Sequence, residues 1–281
     1  MPWRVVIATR IFPVAAGFQE AIRAAGHEPV ALLTIRDLQG EYLGGALHEL
    51  PGELDILVPA RRSSIAPLLD AAEPHLVVCM GFPWKIPAAA LAVPPLGWLN
   101  GHPSLLPQHR GPIPVSWAIR NGDPEIGVSF HFMDAELDTG PVVAQRAMPL
   151  GGYCGPEELF ARLAPTTGET LVEALSRIEA GDRGTPQAEG GGYESFFTAD
   201  DLWLDPAGTA EEQHRLAWAW RFTPPVGGEQ GLLVELDGAP ARIVRSSLEP
   251  FAGAVDLACA DAPLWVTTEP RSAAAPGPSP S

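Results

Sequence analysis

The sequence predicts an α/β fold: a Rossmann-like, mostly parallel sheet with flanking helices, followed by a small C-terminal β-rich domain. Apolar runs alternate with helical periodicity through the first 80 residues, which is typical of a parallel sheet with crossover helices. Beyond residue 200, two apolar runs flank the turn pair Asp237-Gly238, which predicts a β-hairpin. A chain of 281 residues is long enough to form two cores.

The composition is that of a soluble globular protein, with 46% hydrophobic and 19% charged residues. A formal net charge of -16 should repel nucleic acid unless the few cations are clustered. We expect no membrane span and no signal peptide, because every apolar run is too short. The three cysteines lie far apart, so we expect neither disulfides nor a zinc site, and a reducing, cytoplasmic setting.

The first half of the chain alternates between the two kinds of element. Phe18, Ile22 and Ala25 have helical spacing and Gly26 ends their helix, while a second helix stops before Pro74. The predicted helices cover 15–25, 65–72 and 115–121. The predicted strands cover 3–8, 29–35, 54–58, 75–80, 96–100 and 126–133.

The first strand is followed by residues 9–13, which contain no G-x-G-x-x-G sequence. Without those glycines the backbone cannot closely approach a pyrophosphate, so we do not expect a nicotinamide or flavin cofactor. The chain also has neither G-x-S-x-G nor H-E-x-x-H, so neither a hydrolase nucleophile elbow nor that type of zinc site is indicated.

Residues 82–86 directly follow a predicted strand and therefore lie at the carboxyl edge of the sheet, where open α/β sheets bind ligands. Phe82 and Trp84 could hold a flat ring there. For this segment taken alone, a plain hydrophobic loop is the favoured interpretation, since apolar loop residues are a weak sign of function.

Asn100 and His102 are separated by one residue at the end of a predicted strand, so their side chains should point to the same side. The alternating strand 126–133 then leads into an acidic loop, 134–140, whose glycine permits a tight bend. An Asn, a His and Asp138 thus stand near strand ends.

These residue types suit acyl transfer to an amine. An Asn amide can donate to the oxyanion, and a His can take the proton of the amine or, as imidazolium, assist the oxyanion. An Asp can orient the His and raise its pKa. Taken singly, each residue has an ordinary structural role as a turn former, a core residue or a cap, so those interpretations stay open at this point.

A long ordered motif resembles the folate-dependent formyltransferase family, which includes methionyl-tRNA formyltransferase and the amino-sugar N-formyltransferases. The resemblance is close over about 75–150. It rests on Asn100-Gly101-His102-Pro103-Ser104-Leu105-Leu106-Pro107, Arg110-Gly111, Pro114, Trp117-Ala118-Ile119, Gly122, Gly127-Val128, Met133-Asp134 and Leu137-Asp138-Thr139-Gly140. Gly101 departs from the family pattern, where a β-branched residue or Leu is more frequent, and should alter local backbone freedom.

The resemblance implies that Asn100, His102 and Asp138 are catalytic, that 10-formyltetrahydrofolate is the donor, and that no metal is involved. The residues expected to bind the folate are Phe82, Pro83, Trp84, Lys85, Ile86, Asp134, Ala135 and Glu136. Those expected to bind the acceptor are Ser104, Arg110, Gly111 and Pro112.

The chain is predicted to divide into a catalytic domain (1–182), a Gly-rich linker (183–199), a C-terminal domain (200–268) and a disordered tail (269–281). The third segment resembles, more loosely, the small open barrel (OB-like) of methionyl-tRNA formyltransferase. Poor in cations, it is expected to serve in packing or as a homodimer contact.

The acceptor is expected to be a small-molecule amine, such as an amino sugar nucleotide, ornithine or hydroxyornithine. The tRNA enzymes carry a basic loop after the second strand, whereas residues 34–42 are short and nearly neutral here. Residues 200–268 contain four arginines and no lysine, although RNA affinity depends on neutralised phosphates. Methionyl-tRNA remains the alternative acceptor.

Two further alternatives stay open. The same three side chains could serve hydrolysis of the formyl folate by water, although the family's hydrolases generally carry an amino-terminal regulatory domain, which we do not expect here. A noncatalytic folate- or partner-binding module is disfavoured, because binding alone needs no such set of residues.

Overall fold

The computed structural model describes residues 1–36, 54–225 and 231–270. From residue 37 on, the nearly neutral loop predicted at 34–42 lies outside the described residues, as does the predicted tail from residue 271 on. The chain forms two compact units. The first comprises Met1–Arg110, Gly127–Met148 and Phe160–Gly192, and the second comprises Gly111–Ile126, Pro149–Leu159 and Tyr193–Ser281.

Seven strands of the described residues form one sheet in the order β3-β2-β1-β4-β5-β6-β7. Neighbouring strands are parallel from β3 to β5, while β6 runs antiparallel to β5. This confirms the mostly parallel sheet. The strands are β1 (Arg4–Ala8), β2 (Glu28–Leu33), β3 (Asp55–Leu57), β4 (Leu76–Cys79), β5 (Trp98–His102), β6 (Glu125–Phe132) and β7 (Val142–Pro149).

Helices of the first unit flank the sheet, as predicted. The described α-helices are α1 (Phe12–Ala24), α2 (Ile65–Ala72), α3 (Ala88–Leu91), α4 (Pro114–Asn121), α5 (Pro156–Glu179) and α6 (Ala210–Ala219). Alternate residues of β1 pack in different apolar clusters. Val5 and Ile7 belong to a cluster with α1 and α5, whereas Val6 and Ala8 belong to a cluster with α2. Burial of each large apolar side chain contributes about 1.5–3 kcal/mol, so both faces stabilise the sheet that carries the site.

Helix α5 continues through Pro165 without interruption. Leu163 before the proline and Leu171 after it are both buried, and this apolar burial outweighs the cost of a proline in a helix, about 3 kcal/mol. Strand β7 was not predicted, because only Val143 and Ala144 of its eight residues are buried and its polar run shows no alternation.

The second unit contains an antiparallel sheet in the order β10-β11-β9-β8 within the described residues. Its strands are β8 (Leu233–Leu236), β9 (Ala239–Ser247), β10 (Val255–Ala258) and β11 (Pro263–Pro270). Asp237 and Gly238 both have positive φ, as the two central residues of a type I′ turn require, which confirms the hairpin and the small β-rich domain. Strand β11 includes two residues that were assigned to the tail.

The predicted boundaries at residues 182 and 200 lie on either side of the division between the two units at residue 192, but the second unit also draws on two earlier segments. In the described part of the chain, the helices are either too short or too polar to cross a membrane.

Candidate active site

The end of β5 and the loop after β6 bring the three predicted catalytic side chains together. Strand β5 extends two residues further than predicted, so Asn100 and His102 both lie in it and point to the same side, towards Asp138. Oδ1 of Asp138 lies 3.4 Å from Nδ2 of Asn100 and 3.6 Å from Nδ1 of His102. One carboxylate oxygen therefore faces both of the other side chains.

The neighbours of His102 determine its tautomer. Its Nε2 lies 2.8 Å from the main-chain oxygen of His109, which can only accept a hydrogen bond, so Nε2 carries a proton. In the neutral ring, Nδ1 is then the unprotonated nitrogen, and this is the one that faces Asp138. The site thus presents a proton acceptor next to a carboxylate that can stabilise the imidazolium.

Burial determines the charge of this imidazole. It lowers the pKa of His102 below 6.5 and outweighs the Asp138 carboxylate and the His109 carbonyl, both of which raise it. The ring is 4% exposed. The expectation that the Asp raises the pKa of the His is therefore correct for that pair but wrong for the net shift, and His102 is neutral at pH 7.

A second histidine completes the cluster and was missed from the sequence. His131 pairs directly with Asn100 across β5 and β6, and its Nε2 lies 3.1 Å from Nδ2 of Asn100 and 3.7 Å from Oδ1 of Asp138. Its Nδ1 lies 3.0 Å from the main-chain oxygen of Phe132, so Nδ1 carries the proton and Nε2 accepts from the Asn100 amide. The available signal was a histidine in the strand that leads directly into the acidic loop.

Asp138 reaches the site from a loop with a demanding backbone. Its φ is +59°, in the left-handed region that Asp tolerates better than most residues. Gly140 is required for a different reason: a Cβ there would lie 1.8 Å from the main-chain oxygen of Phe132, so only glycine lets the loop return against β6. Within the loop, Thr139 donates a hydrogen bond to Asp134.

Cys79 pairs with Asn100 across β4 and β5, but burial raises the pKa of its thiol to about 12. It therefore stays protonated and cannot act as a nucleophile at neutral pH.

The predicted folate-binding loop follows β4 at the carboxyl edge of the sheet. Phe82 and Trp84 are half-buried, with ring centroids 6.2 Å apart and ring planes at 83°, and both pack against the apolar cluster around α2. Pro83 and Lys85 are exposed, and Ile86 is buried. The two aromatic rings are therefore partly accessible to a ligand, while the apolar cluster holds their buried sides in place.

The other predicted folate residues lie on the acidic loop. Asp134, Ala135 and Glu136 are all exposed. Oδ1 of Asp134 accepts hydrogen bonds from the Glu136 main-chain NH and from the Thr139 hydroxyl, so it shapes the turn. A folate-binding role for these three residues stays a prediction.

The four residues predicted to bind the acceptor lie in different surroundings. Ser104 is buried and donates a hydrogen bond to the main-chain oxygen of Gln108, so its hydroxyl serves the loop. The guanidinium of Arg110 binds the side-chain oxygen of Gln187. In the second unit, Gly111 is buried and Pro112 is exposed. An acceptor-binding role for the four stays a prediction.

Among the described residues, no group of three or more His, Cys, Asp and Glu side chains is arranged to hold a metal ion. The cluster offers an amide donor, a neutral imidazole and a carboxylate. Together they can accept a proton and stabilise the negative charge that develops on the oxygen of a carbonyl group under attack.

Comparison with known proteins identifies the family of this chain. The model of the formyl transferase family matches residues 58–175. The methionyl-tRNA formyltransferase of Synechococcus sp. (strain RCC307) is 34% identical over 284 residues, covering 90% of this chain and 82% of that enzyme. Aligned stretches cover 60% of the methionyl-tRNA formyltransferase of Trichlorobacter lovleyi, so the extent of the match differs between relatives.

Solved structures share the fold. A 4-N formyltransferase from Francisella tularensis superposes with a TM-score of 0.68 at 19% identity, covering 89% of this chain and 99% of that one. HypX from Aquifex aeolicus, crystallised with tetrahydrofolic acid, superposes with a TM-score of 0.67 at 18% identity, and 96% of this chain matches 45% of HypX. On the family match and the sequence relatives, this chain belongs to the formyltransferase family.

Proposed function

We propose that this protein transfers a formyl group from 10-formyltetrahydrofolate to the amine of a small molecule. The observation that carries the proposal is the convergence of Asn100 and His102 on one oxygen of Asp138, inside a chain of this family. The folate donor is supported by the tetrahydrofolic acid bound to HypX, a protein of the same fold. The half-buried aromatic residues of the loop 82–86 suit a flat pteridine ring.

In the proposed reaction, the amine nitrogen attacks the formyl carbon and forms a new C–N bond. Nδ1 of His102 takes the proton that the nitrogen loses, and Asp138 stabilises the resulting imidazolium. The bond between the formyl carbon and N10 of the folate then breaks. N10 receives the proton back from His102, so the protein ends in its starting state.

Asn100 is the proposed donor to the oxyanion of the tetrahedral intermediate. Its Nδ2 carries two hydrogens, and in the ligand-free site these face His131 at 3.1 Å and Asp138 at 3.4 Å. The contact with Asp138 is the longer and weaker of the two. We infer that this hydrogen turns towards the oxyanion, while the bond to His131 keeps the amide plane in place.

The charge distribution favours a small acceptor over tRNA. The cations of residues 200–268 are already engaged within the second unit: Arg215 forms an ion pair with Glu211, and Arg242 forms one with Glu269. The other two arginines of this segment lie against aromatic rings. Two of the four arginines are paired with carboxylates and two lie against aromatic rings. In a chain of net charge -16, such a segment offers little to a phosphate backbone.

Methionyl-tRNA is the second candidate acceptor, because relatives with more than 30% identity are methionyl-tRNA formyltransferases. The two acceptors are separated by following a labelled formyl group. Purified protein would be incubated with formyl-labelled 10-formyltetrahydrofolate and, in parallel, with a small-molecule pool and with tRNA charged with methionine.

Label in a small molecule supports the proposal, and the mass of the product identifies the amine. Label on tRNA overturns the charge argument, and release of labelled formate without any amine identifies a hydrolase. His102→Gln should abolish transfer, whereas His75→Gln, at an exposed histidine outside the cluster, is the matched control and should not.

A further inference from the structure

Residues 183–192, predicted as part of a linker, are attached at two points to the first unit, near the acidic loop 134–140 that carries Asp138. Thr185 exchanges two main-chain hydrogen bonds with Val142, each 2.8 Å long. At the other end, a Cβ on Gly191 would lie 1.8 Å from the main-chain oxygen of Pro107, so the two backbones are in close contact. The segment between these two anchors is therefore presented in a defined position.

Gln187 lies between the anchors and connects two parts of the site. Its Nε2 donates to the main-chain oxygens of Asp138 (2.8 Å) and Gly140 (2.9 Å). Its Oε1 accepts from Nη2 (2.7 Å) and Nε (3.0 Å) of Arg110. The partners fix the orientation of the amide, because carbonyls only accept and a guanidinium only donates.

The contacts of Gln187 are made to a part of the active-site backbone that has an unfavourable conformation. Asp138 has a positive φ, and such conformations persist only when the surroundings determine them. Gln187 bonds the main chain of this residue and leaves the carboxylate to face His102. Arg110 also donates to the main-chain oxygen of Gly191, so it links Gln187 to the second anchor.

We propose that Gln187 is a positioning residue for formyl transfer: its amide holds the main chain of residues 138–140 so that the Asp138 carboxylate faces His102 and Asn100. The proposal rests on the function proposed above. It differs from a merely structural role, because it makes the charge environment of His102 depend on a side chain that does not touch it.

Two substitutions separate the functions of the amide. Gln187→Glu keeps an oxygen for Arg110 but removes both donors to the loop, whereas Gln187→Met removes both sets of bonds. The matched control is Gln213→Met, at a buried glutamine of the second unit whose Oε1 accepts from the Asp205 main-chain NH. That substitution also removes a hydrogen-bonded amide, but not one bonded to Asp138.

The readouts are the kinetics of formyl transfer and the titration of the His102 ring followed by NMR. We expect both Gln187 variants to lower kcat roughly 100-fold, the effect of about 1 Å of misplacement, with little change in the KM for the donor. In Gln187→Met, which adds no charge, the pKa of His102 should fall further, because the carboxylate that raises it is no longer held nearby. Gln213→Met should leave both readouts unchanged.

The proposal is overturned if Gln187→Glu retains wild-type kcat, or if the His102 titration does not move in Gln187→Met. Should Gln187→Met fail to fold, the kcat of Gln187→Glu still tests the proposal. The NMR readout needs no acceptor, so it separates the two proposals: absence of transfer by the wild-type protein sinks the proposed function, whereas an unmoved titration sinks the role of Gln187.

Discussion

Nδ2 of Asn100 lies 3.1 Å from Nε2 of His131, its direct partner across β5 and β6. The imidazole is itself held by a hydrogen bond from its Nδ1 to the main-chain oxygen of Phe132. The amide that we propose as oxyanion donor is therefore oriented by a histidine that is almost fully buried, at 1% exposed. This pair makes the geometry of Asn100 dependent on β6.

His131→Phe should lower kcat by roughly 100-fold, because the Asn100 amide loses the acceptor that fixes its plane. The KM for 10-formyltetrahydrofolate should change little, since the effect falls on the transition state. Steady-state kinetics with the identified acceptor measure both. An unchanged kcat would show that Asn100 is oriented without this bond.

The pH dependence of kcat/KM should have an acid limb with its midpoint below pH 6.5. Burial lowers the pKa of His102, and the ring must be neutral to accept a proton, so activity is present above this pKa and is lost as the pH falls through it. A stability term has the same sign: the unfolded state binds this proton first as the pH falls, so stability decreases below pH 6.5. An acid midpoint above 6.5 would contradict the proposed protonation state.

Asp138→Asn should move the His102 titration to still lower pH, because the substitution removes the carboxylate that raises the pKa of this ring. The same variant should lose about 10²- to 10⁴-fold in kcat, the usual contribution of acid–base catalysis. The ring titration is followed by NMR and needs no substrate. An unmoved or raised pKa would mean that the two groups are not coupled.

Gly101→Val should destabilise the fold by about 1–3 kcal/mol, because overpacking is costly in a filled core. A Cβ at residue 101 would lie 2.9 Å from Cε1 of Phe130, whose ring is fully buried. Phe130→Leu in the same chain should recover part of the loss.

The control for this substitution is Gly17→Ala in α1, where a Cβ meets nothing within 4 Å. It should stabilise the fold by roughly 0.5–1 kcal/mol, as alanine does in a helix interior. Urea unfolding midpoints test both variants. Equal midpoints for wild type and Gly101→Val would mean that the Phe130 ring moves without cost.

Local patterns in the sequence were enough to predict the elements that carry the site. Asn100 and His102 were placed on one side of the chain by their spacing alone, and the strand runs two residues past its predicted end to include both. Gly140 was predicted for a tight bend, and the structure adds the reason, a close approach to Phe132. Gly101 is not in a positive-φ conformation: what it provides is space for the Phe130 ring, and not backbone freedom.

The features that were missed depend on contacts between distant parts of the chain. His131 faces Asn100 only because of the register between β5 and β6, and Gln187 lies 49 residues from the backbone that it holds. Strands β10 and β11 were not predicted, because neither shows a regular alternation of buried and exposed residues. Their pairing with each other defines them. The direction of the His102 pKa shift depends on burial, which residue types alone do not reveal.

The most direct test of the central claim compares formyl transfer and folate binding in one preparation of His102→Ala. Transfer would be followed with formyl-labelled 10-formyltetrahydrofolate and the identified acceptor, and binding by calorimetric titration with tetrahydrofolate. We predict that transfer is abolished while the affinity for folate stays within a few-fold of wild type, because the imidazole acts on the reacting atoms. Full transfer by His102→Ala would contradict the assignment of this site.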